Sequence, residues 1–156
     1  MKIRYFDHAA TTAVKEEVLR EMAPYLNIEY GNPSSMYSIG RKAKKTIEQA
    51  RRKVARIINC NAKEIYFTSG GSESDNIAIK GIAYSLRQKG NHIITSKIEH
   101  PAILETCKFL EKEGFRITYL DVNENGIINI NQLKNAITNK TTLISIMFAN
   151  NEIRND

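Results

Sequence analysis

The residues in this chain best suited to chemistry stand together in Thr68-Ser69-Gly70-Gly71-Ser72-Glu73-Ser74-Asp75-Asn76. They follow the short apolar run Ile65-Tyr66-Phe67 and precede Ile77 to Ala83, where apolar residues recur at helical spacing. That order reads as strand, glycine-rich turn, helix. Two glycines let a backbone turn sharply and come close to a ligand. Ser72 falls at the expected N-cap, with free N–H groups behind it and the positive end of the helix dipole beneath. Such a junction is an anion site, above all for phosphate. An ordinary capped strand–helix turn has the same local chemistry, and both readings stay open at this point.

The elements that must position this stretch can be read in order. Residues 1–14 read as an extended arm, with Ile3, Tyr5 and Phe6 ahead of Asp7-His8-Ala9-Ala10-Thr11-Thr12. Lys15 to Leu26 is expected to be a helix with Val18, Leu19, Met22 and Tyr25 on one side. Gly31-Asn32-Pro33-Ser34-Ser35 is dense in turn formers. A long helix over about 38–58 advances its apolar residues by three or four and turns its basic residues mostly outward. Beyond Gly90, short β-prone runs at 92–95, 116–120 and 142–147 alternate with helices over about 99–114 and 130–138, Pro101 being suited to a first turn. This alternation predicts an α/β fold, a mainly parallel sheet covered on both faces in three α/β/α layers. Ligands bind such sheets beyond the carboxyl ends of the strands. Three polar clusters fall there, Ser69–Asn76, Ser96–His100 and Asn150–Glu152, and their convergence favours the phosphate reading.

Composition narrows the rest. The chain has 156 residues, 42% hydrophobic and 26% charged, which is enough for one folded domain with a real core and argues against disorder. No apolar run is long enough to span a bilayer, and the first residues lack the apolar segment of a signal peptide. Cys60 and Cys107 form neither a metal-ligand spacing nor a disulfide framework, so no metal site is expected and a reducing cytoplasm is the expected compartment. The net charge of +6 is local, because Arg41 to Arg56 carries eight cations against Glu48 alone. A solvated helix face and a surface for an acidic partner or nucleic acid both fit it, and the solvated face is favoured because no interleaved aromatics support nucleic-acid stacking.

Taken together, Asp7-His8-Ala9-Ala10-Thr11-Thr12, Gly31-Asn32-Pro33-Ser34-Ser35, Thr68 to Asn76, Glu99-His100 and Asn150-Asn151-Glu152-Ile153 resemble the cysteine desulfurases of the NifS/IscS type. These are pyridoxal-phosphate enzymes of the class-V aminotransferase group, and the resemblance runs from Tyr5 to Ile153. It implies a partial large domain of fold type I over 15–156 behind the arm 1–14, without the later strands and the C-terminal small domain. It implies the conversion of L-cysteine to L-alanine with an enzyme-bound persulfide. That sulfur feeds iron–sulfur cluster and thio-cofactor assembly through a scaffold or acceptor protein. By the resemblance, Gly71 and Ser72 hold the pyridoxal 5'-phosphate phosphate group. His100 stacks on its ring and handles protons, and Asn151 bonds its ring oxygen. Asp7, Ala10, Thr11 and Asn32 lie near the substrate entrance.

The departures carry expectations of their own. Tyr37 stands where many relatives have histidine, and Arg154-Asn155-Asp156 stands where the family continues with glycine. By the resemblance, the Schiff-base lysine, the aspartate facing the pyridinium nitrogen and the persulfide cysteine all belong to that later stretch. The chain is therefore expected to be a truncated N-terminal portion, inactive alone, with Lys97 the only lysine near the pocket and both cysteines structural. Family members are homodimers, so a homodimer or mixed dimer is expected. The alternative is a non-catalytic module that binds a full-length desulfurase. The strand at 65–67 is expected to be orphaned or re-paired, because the strands that would flank it are absent.

Overall fold

A computed structural model describes residues 4–153. Ile3 of the expected arm and residues 154–156 of the expected large domain lie outside the described residues. Two compact units divide the chain, one through Phe67 and one from Thr68 onward.

The first unit is built on two helices. Helix α1, Glu16–Asn27, opens with Glu16 and Glu17, whose charges suit the positive end of the dipole. Pro24 inside it donates no bond, and its own carbonyl accepts the N–H groups of Ile28 and Glu29 where the helix closes. No residue of α1 is buried, and Val18, Leu19, Met22 and Tyr25 form a half-exposed stripe. Helix α2, Ser38–Ile57, contains the buried Gly40. A Cβ there would stand 2.5 Å from the carbonyl oxygens of both Asn32 and Ser35, so only glycine lets the 31–35 loop lie on the helix. Lys44, Lys45, Arg52, Lys53 and Arg56 are exposed, as the outward basic face requires. Arg51 differs. It is half-buried, pairs with Glu48 at 3.2 Å, donates to the Ile65 carbonyl and lies 5.0 Å over the Phe67 ring. The chain then makes a 3₁₀ turn at Ala62–Glu64, closed by a capping box between Asn61 and Glu64.

The expected strand at 65–67 does not form. Ile65 is buried and extended, but the segment belongs to no ladder, and Tyr66 and Phe67 are exposed. Its apolar residues suit a strand, yet no partner strand is present among the described residues. The orphaning expected from the resemblance describes this segment.

The second unit is α/β. Helix α3 spans Gly71–Ser85, strand β1 His92–Ser96, helix α4 Pro101–Lys112, strand β2 Arg116–Leu120, helix α5 Ile130–Ala136 and strand β3 Thr141–Ser145. The sheet order is β2-β1-β3 and both pairings are parallel. The chain crosses from β1 to β2 through α4, then back past β1 to β3 through α5. Right-handed crossovers in opposite directions place α4 and α5 on opposite faces, which gives the expected three layers. Every residue of the central strand β1 is buried. Ile93 of β1 joins Ile79 and Ala83 of α3, and Ile103, Cys107 and Leu110 of α4, in one core with Phe115. The β-prone run at 142–147 forms an edge strand: β3 ends at Ser145 and Ile144 is exposed.

One close approach fixes the start of this sheet. Gly90 lies so near Lys140 that a Cβ would overlap the Lys140 carbonyl. The His92 N–H then donates to that same carbonyl at 3.0 Å. The β1–β3 register skips one residue between His92 and Ile93. At the skip, the buried His92 ring bridges Thr141 Oγ1 through Nδ1 and Thr118 Oγ1 through Nε2, both at 2.8 Å. It therefore ties both outer strands to the central one.

Candidate functional site: the strand ends and the α3 N-terminus

The α3 start differs from the expected cap. Gly70 is the N-cap, in extended backbone, and Ser72 lies inside the first turn. No side chain caps the helix. Glu73 folds back instead, its Oε2 accepting from the Ser69 N–H at 2.6 Å and the Ser69 hydroxyl at 2.8 Å. Those two bonds, the backbone one first, hold the Glu73 carboxyl below its ordinary value. Thr68 Oγ1 bonds Ser74 Oγ at 2.7 Å and donates to the Gly70 carbonyl at 3.1 Å. The turn is thus rigidified from its flanks while its crest stays open. Among the described residues, the N–H groups of Gly71 and Ser72 and the Ser72 hydroxyl meet no protein acceptor. A Cβ on Gly70 or Gly71 would meet nothing within 4 Å. Neither glycine is forced into a left-handed conformation. Their contribution is open space before two free donors, not a sharp turn.

Across from this crest, α4 begins as Pro101 predicted. His100 is its N-cap, with Nδ1 accepting the Ala102 N–H at 3.1 Å. That bond requires an unprotonated Nδ1, so the ring proton sits on Nε2. The ring is exposed. Ser72, Asn76 and Lys80 of α3 recur at i, i+4 and i+8, and they line one groove with His100, Thr106 and Phe109 of α4. The structure therefore brings Ser72 and His100 together. Asn151 lies after β3, exposed and outside this groove's lining. Its neighbour Asn150 is the more constrained residue, with both polar ends of its side chain bonded. At the end of β1, on the face that Ile93 turns to the core, Thr95 Oγ1 is buried without a hydrogen-bond partner among the described residues.

The remaining candidates sort clearly. Asp7 accepts from the Ala10 N–H through Oδ1 at 3.3 Å, and its carbonyl accepts from Ala10 and Thr11, so the three residues form one exposed turn. Asn32 Oδ1 accepts the Ser34 N–H at 2.9 Å, stiffening its own loop. All four belong to the first unit. The lysine expectation is corrected. Lys97 pairs with Asp121 at 2.5 Å, and that bond lowers the Asp121 carboxyl. The lysine in the groove is Lys80, 4.5 Å from the Phe109 ring centroid. Its helical spacing from Ser72 was the signal available in the sequence. Cys107 is buried, its thiol pushed up to about 11 by burial and then by the charges of Glu111 and Glu99. A sulfur-accepting thiolate needs the opposite environment. Cys60 is half-buried, with Sγ 3.5 Å from the Asn61 carbonyl. Among the described residues, no cluster of acidic, histidine and cysteine side chains could hold a metal. No helix among them is long and apolar enough to cross a membrane.

Parallel β1 with polar clusters beyond its carboxyl end, and N–H groups without a protein acceptor among the described residues at the start of a helix packed on the sheet, are the features that α/β anion sites use. The Aminotransferase class-V family matches residues 4–153, and the chain belongs to that family. Within it, the chain is 58% identical over 149 residues to the cysteine desulfurase IscS of Clostridium botulinum (strain Hall), covering 96% of this chain and 38% of that protein. It is 55% identical over 152 residues to the cysteine desulfurase IscS of Methanosarcina thermophila, covering 97% of this chain and 38% of that one. Among solved structures, a NifS-like protein superposes with a TM-score of 0.91 at 41% identity, over 95% of this chain and 41% of that one. A structure of SspA in complex with cysteine gives 0.90 at 43% identity, over 96% and 43%. The chain spans about 38% of the length of the curated relatives it matches.

Proposed function

We propose that these residues form the phosphate- and ring-holding half of the pyridoxal 5'-phosphate site of a cysteine desulfurase. The observation that carries the reading is the open crest of α3, where among the described residues the N–H groups of Gly71 and Ser72 and the Ser72 hydroxyl have no acceptor, sharing a groove with His100. Those donors and the helix dipole bind a phosphate dianion. The capping bond from Ala102 leaves the His100 ring face free to lie on a pyridine ring and points its proton-bearing Nε2 outward. Asn151 supplies an amide donor for the ring oxygen. When bound, the cofactor offers an electron sink for carbanion charge on an amino-acid substrate. L-Cysteine is the substrate by this reading, and the sulfur goes to an iron–sulfur scaffold or thio-cofactor acceptor.

The chain alone is not expected to turn over. Lys97 is held by Asp121, and Cys107 is buried with a raised thiol. A second reading, a non-catalytic module that binds a full-length desulfurase, is favoured by α1, which buries none of its residues. One experiment separates the two. Pyridoxal phosphate is added to the purified chain and its absorption spectrum recorded with and without L-cysteine, while sulfide and alanine are assayed. Cofactor binding that inorganic phosphate displaces, without sulfide, supports the half-site. Sulfide release with borohydride fixation of the cofactor to the chain overturns the inactivity. Failure to bind the cofactor, with tight binding to a full-length desulfurase, favours the module.

A further inference from the structure

The β1–β3 ladder ends at the pair Thr95↔Ser145, yet the two chains stay joined beyond it. Glu99 sits in the turn between β1 and α4 and is only 6% exposed. Its Oε1 accepts the Ser96 hydroxyl at 2.9 Å and the Met147 N–H at 2.7 Å. From the other side, Asn150 Nδ2 donates to the Ile98 carbonyl at 2.9 Å. Asn150 Oδ1 accepts the N–H groups of Glu152 at 2.8 Å and Ile153 at 2.9 Å. Two buried or half-buried side chains thus lock residues 96–99 to residues 147–153. The residues they flank in sequence, His100 and Asn151, make no bond to one another, and both are exposed.

A buried carboxylate is costly unless its hydrogen bonds are met, so a turn that needed only to connect β1 to α4 would not bury Glu99. Spanning 48 residues to a backbone N–H serves a different need, which is to hold two loop ends at a set separation. We infer that Glu99 and Asn150 are positioning residues: a strap past the end of the sheet that fixes His100 relative to Asn151, so that both address one flat aromatic ligand ring. The inference rests on the pyridoxal-phosphate reading for the identity of that ring. The strap leaves the phosphate cradle alone, because Gly71 and Ser72 are held by the separate Thr68–Ser74 and Ser69–Glu73 bonds.

This separation sets the test, made on the whole 156-residue chain. Glu99→Ala removes the acceptor, and Glu99→Gln keeps an oxygen that can accept the same two bonds. Nitrogen-15 NMR reads the His100 tautomer, and amide exchange reads Met147. In Glu99→Ala, the His100 ring shifts should leave the single-tautomer pattern and Met147 exchange should speed up, with Ile94 unchanged. Affinity for pyridoxal phosphate should fall about tenfold while affinity for inorganic phosphate stays the same, because losing the two bonds that Glu99 accepts loosens the ring end only. Glu99→Gln should restore most of both. Asn150→Ala reports the same readouts if Glu99→Ala does not fold. Unchanged His100 and Met147 signals overturn the strap, and so does a parallel loss of phosphate and pyridoxal-phosphate affinity, which is general unfolding. A wild-type chain that binds phosphate but not pyridoxal phosphate overturns the cofactor reading alone. The His100 and Met147 signals then still decide whether the strap exists.

Discussion

At the scale of residues, Ser72 and His92 show opposite uses of a polar side chain. Among the described residues, Ser72 donates to no acceptor and does not cap α3, so its removal should cost the fold little and a bound anion more. Ser72→Ala is expected to weaken inorganic phosphate binding about tenfold, the worth of one hydrogen bond to a charged group. Far-ultraviolet circular dichroism should not change. An equal loss of helix signal would mean that Ser72 serves the fold. His92 is the reverse, buried and bonded through both ring nitrogens. Burial, and then the Arg116 charge, hold its ring below the ordinary value of 6.5. The unfolded chain therefore takes up this proton more readily. The His92 contribution is present in full above 6.5 and is lost as the pH falls toward the lower folded value. Urea midpoints should drop from about pH 7.5 to about pH 5.5, and His92→Gln should flatten that limb. Parallel curves for the two proteins would assign the drop to other groups.

The residues that could be found in the sequence are those whose chemistry is local. Pro101 announces the start of α4, and His100 before it falls at the cap. Glycines ahead of an apolar helical run mark the anion turn. Ser72 misled as a cap because six hydroxyl or carboxyl side chains crowd residues 68–75, and only the geometry shows Glu73 closing back on Ser69. Glu99 and Asn150 were not legible as a strap. The bonds from Glu99 to Met147 and from Asn150 to Ile98 span 48 and 52 residues, and no local pattern records such a bond.

At the scale of elements, periodicity located every helix and all three strands of the sheet to within a few residues, since one buried face imposes its spacing on the chain. It failed at Ile65–Phe67 because a strand is a pairing, and an apolar run cannot say whether a partner is present. It also cannot tell a central strand from an edge one, and among the described residues β3 has a neighbour on one side only. The irregularity in the β1–β3 pairing falls between His92 and Ile93, just beyond the close approach of Gly90 to Lys140. Since a side chain at Gly90 would strike backbone, which cannot swing aside as a side-chain tip can, Gly90→Ala must push the 138–141 turn away. It should cost about 2 kcal/mol, in the range of an overpacked core site. A urea titration measures it. A cost no larger than that of a surface substitution would show that the turn shifts freely.

At the scale of the molecule, the two units differ in what they bury. From Thr68 onward, Ile79, Ile93, Ile94, Ile103, Leu110, Phe115 and Leu120 are buried. Among the described residues through Phe67, Gly40, Ala55 and Ile65 are buried, while Leu26, Tyr30, Ile57 and Tyr66 are mostly exposed. Apolar burial is the main favourable term in folding, so the first unit has little to set against its chain entropy. It should open locally far more often than the second. Brief trypsin treatment is expected to cut first among the exposed lysines and arginines of α2, leaving a resistant piece from the second unit. Mass spectrometry identifies the cut. Adding inorganic phosphate should slow cleavage within the second unit, where the cradle lies, and leave the α2 sites as labile as before, because a ligand stabilises only the part that binds it. Equal resistance of both units, or phosphate protection spreading to α2, would mean that the first unit is held by contacts its own burial does not reveal.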